Sequence, residues 1–227
     1  MTGIVIAIDG PSGVGKSTVS RAVAEKLGMA YLDTGATYRA CALACMREGV
    51  KFADKDYVTA LAETMNVRIS MDPRDPRVLL DEDDITSLIR GDAVTMAVSD
   101  VATNLDARAV LGRWQRRLID AERTAGFSGG GGVVAEGRDI TTVIAPDADV
   151  RVLMTADPEV RVARRKDDGT SDNDEATRAG VIERDAKDAT VVNFQRAADG
   201  VVTLDTTDLT IDEAVAAVMS LAHEAAL

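Results

Sequence analysis

Five short apolar runs divide the chain: Ile4-Val5-Ile6-Ala7-Ile8, Met29-Ala30-Tyr31-Leu32, Val133-Val134-Ala135, Val150 to Met154, and Val201-Val202-Thr203-Leu204. Each has the length of a buried strand, and the stretches between them carry helical spacing. Val19, Ala22, Val23 and Leu27 lie on one helical face that stops at Gly28. A long apolar helix follows to about Glu48, and further helices are predicted over 91–102, 106–124 and 175–187. Asp157-Pro158-Glu159 opens another with a cap and a first-turn proline, and Thr210 with Glu213 forms the capping box of a closing helix that runs to Ala226. Strands alternating with helices predict an α/β fold, a five-stranded parallel sheet covered on both faces.

The pattern breaks between Asp54 and Arg90. After a helix over Asp56 to Met65, two alternating runs, Val67 to Ser70 and Val78 to Leu80, flank the turn Asp72-Pro73-Arg74-Asp75-Pro76. That is a hairpin signal, so this region reads as an insertion. Gly126 to Gly132 reads as a flexible connection, because it lacks the lysine and spacing of a phosphate loop. Asp167 to Asp174 is polar and acidic and reads as a mobile loop.

A chain of 227 residues with 46% apolar content accommodates one α/β domain with an insertion, or two small ones. The net charge of −12 argues against general nucleic-acid or anionic-membrane binding, so any phosphate must meet a local arginine cluster. No apolar run approaches the ~20 residues of a membrane helix, and a cytoplasmic location is expected. Cys41 and Cys45 share a helical face and are expected to pack rather than pair, and zinc is not expected with so few ligands. His223, the single histidine, falls near the end of the last helix, so a histidine base is not expected.

The chemistry concentrates at Gly10-Pro11-Ser12-Gly13-Val14-Gly15-Lys16-Ser17-Thr18, directly after the first strand. Residues 10–17 fit GxxxxGK followed by Ser or Thr, the loop whose backbone N–H groups cradle the phosphates of a nucleoside triphosphate. Lys16 would reach the β and γ phosphates, the Ser17 hydroxyl would ligate Mg²⁺, and the N-terminus of the helix adds to the anion site. Asp33 and Thr34 fall at the carboxyl end of the second strand, where open α/β sheets bind ligands.

Neither a guanine-recognition motif nor an Asp-x-x-Gly switch is present, which argues against a regulatory GTPase. Val78-Leu79-Leu80-Asp81-Glu82 imitates an ATPase strand, but three apolar residues are too few for a buried central strand, and it reads as a hairpin edge with solvated acids. Small-molecule phosphoryl transfer remains, and a phosphate acceptor needs no general base but does need fixed positive charge. Arg39, Arg108, Arg138, Arg161, Arg165 and Arg184 are candidates, because guanidinium forks bind phosphate oxygens in pairs. Two alternatives stand beside this reading: another small-molecule kinase of adenylate or shikimate type, and an ATP-dependent switch protein.

Taken with the phosphate loop, Leu32-Asp33-Thr34-Gly35-Ala36-Thr37-Tyr38-Arg39, Asp84-Ile85 with Ile89-Arg90, Val98-Ser99 and Glu136-Gly137-Arg138-Asp139-Ile140 with Thr142-Val143 fall in an order that resembles the bacterial cytidylate (CMP) kinases. The resemblance spans nearly the whole chain, to Leu204-Asp205-Thr206-Thr207. It implies the nucleoside monophosphate kinase fold, with a P-loop core over 1–52 and 93–227, an inserted CMP-binding subdomain over 53–92 and a lid over about 160–195. It implies a monomer that transfers phosphate from ATP to CMP or dCMP with Mg²⁺. By the same resemblance Arg39 and Arg138 would hold the acceptor phosphate, joined by Arg184 from the lid, with Arg161 and Arg165 on the ATP side. Ser99, Arg108 and Asp139 would read cytosine, Asp188 would face the sugar, and Thr34 and Tyr38 would line the acceptor site. Two departures stand out. Asp188 is followed by Ala189, Thr190 and Val191, so the family's lid arginine is missing, with Arg196 or Lys187 as candidate substitutes. Glu136 stands where some members carry Asp, and the longer acid suits an outer contact to Mg²⁺.

Overall fold

A computed structural model describes residues 3–167, 187, 190–191, 194 and 196–225, the side chains of 165–167 excepted. The main sheet comprises β1 (Ile4–Asp9), β2 (Ala30–Asp33), β6 (Gly132–Gly137), β7 (Val150–Thr155) and β8 (Val202–Asp205), in the order β2-β6-β1-β7-β8. All four pairings are parallel. At the centre of the sheet both faces are buried because every other residue serves a different core: Ile6 and Ile8 pack on one side with Val19, Val23 and Val218, while Val5 and Ala7 pack on the other with Leu32, Ile119 and Ile140. The edge strand β8 departs from the expected buried strand: it pairs on one side only, and Val202 is 45% exposed.

Helices α1 (Lys16–Leu27) and α7 (Ile211–Ala225) cover the first face. A third core joins α2 (Thr34–Arg47), α3 (Lys55–Thr64), α4 (Asp92–Ala102) and α5 (Leu105–Glu122). Local signals set these helices. Asp33, Asp54 and Asn104 cap α2, α3 and α5, and the Thr210–Glu213 box opens α7, with Thr210 N to Glu213 at 2.8 Å. Cys41 and Cys45 are buried and unpaired by disulfide, and His223 is exposed.

The insertion contains α3 and an antiparallel sheet of β3 (Val67–Ile69), β4 (Val78–Leu80) and β5 (Asp83–Asp84). Asp81 and Glu82 are exposed as expected, but β4 is the middle strand rather than an edge, because the polar pair Asp83–Asp84 adds a third strand. A two-residue strand of aspartates has no apolar signature to announce it. The connection over 126–132 is likewise not a flexible tether. The buried Glu122 carboxylate accepts from Phe127 N (2.8 Å), Ser128 N (2.9 Å) and Ser128 Oγ (2.7 Å). Gly126, Gly129, Gly130 and Gly132 hold positive φ, so these glycines provide shape rather than slack.

Helix α6 (Pro158–Asp167) follows β7. Most of the expected lid, with the acidic stretch 168–174 and all of the predicted helix over 175–187 except Lys187, lies outside the described residues. Among those described, no helix is long and apolar enough to cross a membrane.

Candidate active site

The carboxyl ends of the five parallel strands share one edge. Strands β1 and β6 are neighbours, yet β1 leads to β2 on one flank and β6 leads to β7 on the other. That reversal opens a crevice outside their carboxyl ends, where α/β sheets take ligands. The phosphate loop leaves β1 there, and Glu136-Gly137-Arg138-Asp139 leaves β6 beside it.

In the loop, Gly13 and Gly15 adopt φ of +82° and +91°. Gly15 is the N-cap of α1 and no side chain makes a capping hydrogen bond there, an arrangement suited to an anion. Lys16 Nζ donates to the Gly10 and Pro11 carbonyls, each at 2.8 Å, which curls the ammonium over the loop. The loop is braced from behind: Thr206 Oγ1 donates to the Val14 carbonyl (3.1 Å), Arg164 donates to the Thr206 carbonyl (2.7 Å), and Arg161 donates to the Ser12 carbonyl (3.1 Å). Thr206 is buried, and its bracing role carries no signal in its local sequence.

Glu136 is buried at the end of β6, where burial and the neighbouring Asp33 raise its pKa, while Lys16, Ser17 and Tyr31 oppose that rise. The Tyr31 hydroxyl donates to Glu136 Oε1 at 2.7 Å. Ser17 and Glu136 are hard oxygen donors suited to Mg²⁺, and among the described residues no cluster of three or more His, Cys, Asp or Glu side chains forms a self-sufficient metal cage. The set therefore fits an ion shared with nucleotide phosphates.

On the acceptor side, Arg108 of α5 pairs with Asp139, with side chains only 13% and 8% exposed. Its guanidinium also donates to the Ala102 carbonyl (3.0 Å) and lies 5.5 Å from the Tyr38 ring centroid. Ser99 is buried one turn before Ala102 on α4. The fold thus brings Tyr38, Arg108 and Asp139 together, with α4 behind them. Arg39 is buried and donates to the Ile89 carbonyl and to Thr95 Oγ1, each at 2.8 Å, and Arg90 pairs with Asp33 at 2.8 Å. Both arginines tie the end of the insertion to the core. Arg138 stacks over Phe194, 4.5 Å from its ring centroid. The Thr34 hydroxyl donates to the Glu136 carbonyl (2.7 Å), joining the start of α2 to β6. Arg184, Asp188 and the Arg165 side chain lie outside the described residues, while Lys187 and Arg196 are exposed.

Sequence reasoning also passed over the buried polar groups Gln115 and Asp9. Gln115 Nε2 donates to Thr37 Oγ1 at 2.7 Å, anchoring α2 to α5. Asp9 accepts from Ile140 N (2.9 Å), Thr141 N (2.8 Å) and Thr141 Oγ1 (2.7 Å), and burial pushes its pKa up to about 6. A carboxylate closing an apolar strand is the one signal that marks Asp9.

The glycine loop, the helix without a side-chain cap and the crevice between parallel strands whose connections diverge define a P-loop nucleotide-binding α/β protein. A gluconokinase from Sinorhizobium meliloti 1021 shares the fold, with a TM-score of 0.50 and 16% identity over 99% of this chain and 94% of that one. Residues 6–224 match the cytidylate kinase family. A cytidylate kinase of Rhodococcus opacus is 42% identical over 226 residues, 97% of this chain and 95% of its own length. One from Cutibacterium acnes is 41% identical over 220 residues, 96% and 95% of the two chains. The chain belongs to the cytidylate kinase family.

Proposed function

We infer that the protein transfers the γ-phosphoryl group of ATP to CMP or dCMP, giving ADP with CDP or dCDP. The observation that carries this reading is the buried Arg108–Asp139 pair, set against Tyr38 beside a phosphate loop whose helix has no side-chain cap.

A nucleoside monophosphate presents an ionised phosphate oxygen, which attacks the γ phosphorus while the bond from that phosphorus to the bridging β–γ oxygen breaks and its electrons leave with ADP. No base is required. The protein's part is to align the two nucleotides and to offset the charge gathering between them. The loop amides and Lys16 hold the donor, Arg161 and Arg165 serve its phosphates, and Arg39 and Arg138 take the acceptor phosphate, with Arg184 joining them. Mg²⁺, held by Ser17 together with the nucleotide phosphates and near Glu136, would neutralise phosphate charge. Arg108 donates to the acceptor atoms of cytosine, and Asp139 accepts from its exocyclic amino group, with Ser99 beside them. Uracil turns that donor into an acceptor and leaves Asp139 unpaired, an effect of about 1–3 kcal/mol or more. Thr34 and Tyr38 shape the acceptor wall, Asp188 faces the sugar, and residues 53–92 form the acceptor-binding subdomain.

The test is ADP formation from Mg-ATP with CMP, dCMP, UMP, AMP or shikimate supplied singly, alongside Asp139→Ala. Turnover should be far higher with CMP and dCMP than with the others and should collapse in the variant. Turnover independent of every acceptor would refute the reading in favour of an ATP-hydrolysing switch.

A further inference from the structure

We propose that Asp9 is a positioning residue for acceptor-base recognition: from β1 it fixes the backbone that carries Arg138 and Asp139. The proposal rests on the assignment of Asp139 as the cytosine-contacting carboxylate.

The parallel register sets Asp9 beside Gly137, so its carboxylate faces the chain just after β6. That chain turns through a single π-helical turn, Ile140–Ile144, in which the Asp139 carbonyl accepts from Val143 N (2.8 Å) and Ile144 N (3.1 Å). The opening amides of such a turn have no partner within it, and here Ile140 and Thr141 are also buried. Asp9, 131 residues away in sequence, accepts from both, and the Thr141 hydroxyl adds a third bond.

The placement otherwise works against the protein. A buried carboxylate directly before Gly10 sets negative charge beside a loop that must bind phosphates. Among the described residues, the hydrogen bonds that the Asp9 side chain accepts nevertheless come from the 140–141 segment and not from the phosphate loop. Its work is therefore directed at the acceptor site, and losing it should act on CMP and spare ATP.

Asp9→Asn keeps the shape but turns one acceptor into a donor facing N–H and O–H groups. It should raise KM for CMP about 10- to 100-fold, lower the CMP-to-UMP preference about tenfold, and leave KM for ATP within about twofold. Thr141→Val removes only the hydroxyl and should show a smaller shift of the same kind, which Thr141→Ser restores; it also serves if Asp9→Asn does not fold. Amide hydrogen exchange over 138–144 should quicken in both impaired variants. Folded variants with unchanged CMP parameters and unchanged exchange would overturn the proposal, as would a rise confined to KM for ATP. If the unaltered protein phosphorylates none of the acceptors, the functional reading fails, and the exchange measurement alone decides whether Asp9 positions the segment.

Discussion

Gly13 and Gly15 form a matched pair that separates backbone strain from steric conflict in the phosphate loop. Both hold a left-handed backbone, φ +82° and +91°. A Cβ on Gly15 would meet nothing within 4 Å, whereas one on Gly13 would lie 2.5 Å from the Arg161 carbonyl oxygen and 3.1 Å from two further backbone atoms of Arg161. Gly15→Ala should therefore cost only the left-handed penalty, about 1–2 kcal/mol. Gly13→Ala carries the same penalty plus an overlap that neither side can relieve by rotating a side chain. The loop and α6 must part, straining the Arg161–Ser12 hydrogen bond of 3.1 Å as they do. Overpacking of this kind adds about 1–3 kcal/mol, so with the left-handed penalty the total is about 2–5 kcal/mol. Urea unfolding of the nucleotide-free protein is the assay, because bound phosphates would add their own contacts at Gly15. The midpoints should separate, corresponding to about 2 kcal/mol of unfolding free energy between the variants at unchanged m. Equal losses, or a larger loss at Gly15, would refute the claim that α6 is seated on the loop at Gly13.

Two further outcomes follow from buried carboxylates. Glu122→Ala removes three hydrogen bonds from the 126–132 connection and should lower stability by about 2–4 kcal/mol, with new protease cleavage in that glycine run; a thermal midpoint equal to that of the unaltered protein would restore the picture of a free tether. Asp9 has a folded pKa of about 6 against an ordinary 3.8, so between these values the folded state binds more protons than the unfolded. Its contribution to stability is fully present below about 3.8 and is lost as pH rises through 6. Stability curves of the unaltered protein and Asp9→Asn should therefore diverge with rising pH, the variant gaining up to about 3 kcal/mol relative to its value at low pH. Parallel curves from pH 4 to 8 would show that Asp9 is not held in its acid form by burial.

Much of this protein was legible along the chain because its signals are local. The phosphate loop, the five apolar strands, the hairpin insertion and the Thr210–Glu213 box each need only a few neighbouring residues to be recognised, since glycine placement, period and capping are short-range physics. That Arg108 and Asp139 share one site was expected only from the family pattern, their ion pair is a finding of the structure, and Arg184 and Asp188 rest on that pattern alone. What the tertiary structure decided is which distant segments touch. Parallel strands are joined by crossovers, so Ile4 pairs with Gly132 and nothing local announces it. For the same reason Asp9 holds residues 140–141, Gln115 holds Thr37, and Thr206 braces Val14. A buried donor or acceptor must find a partner wherever the fold brings one within reach, and that choice belongs to packing in three dimensions rather than to spacing in the sequence.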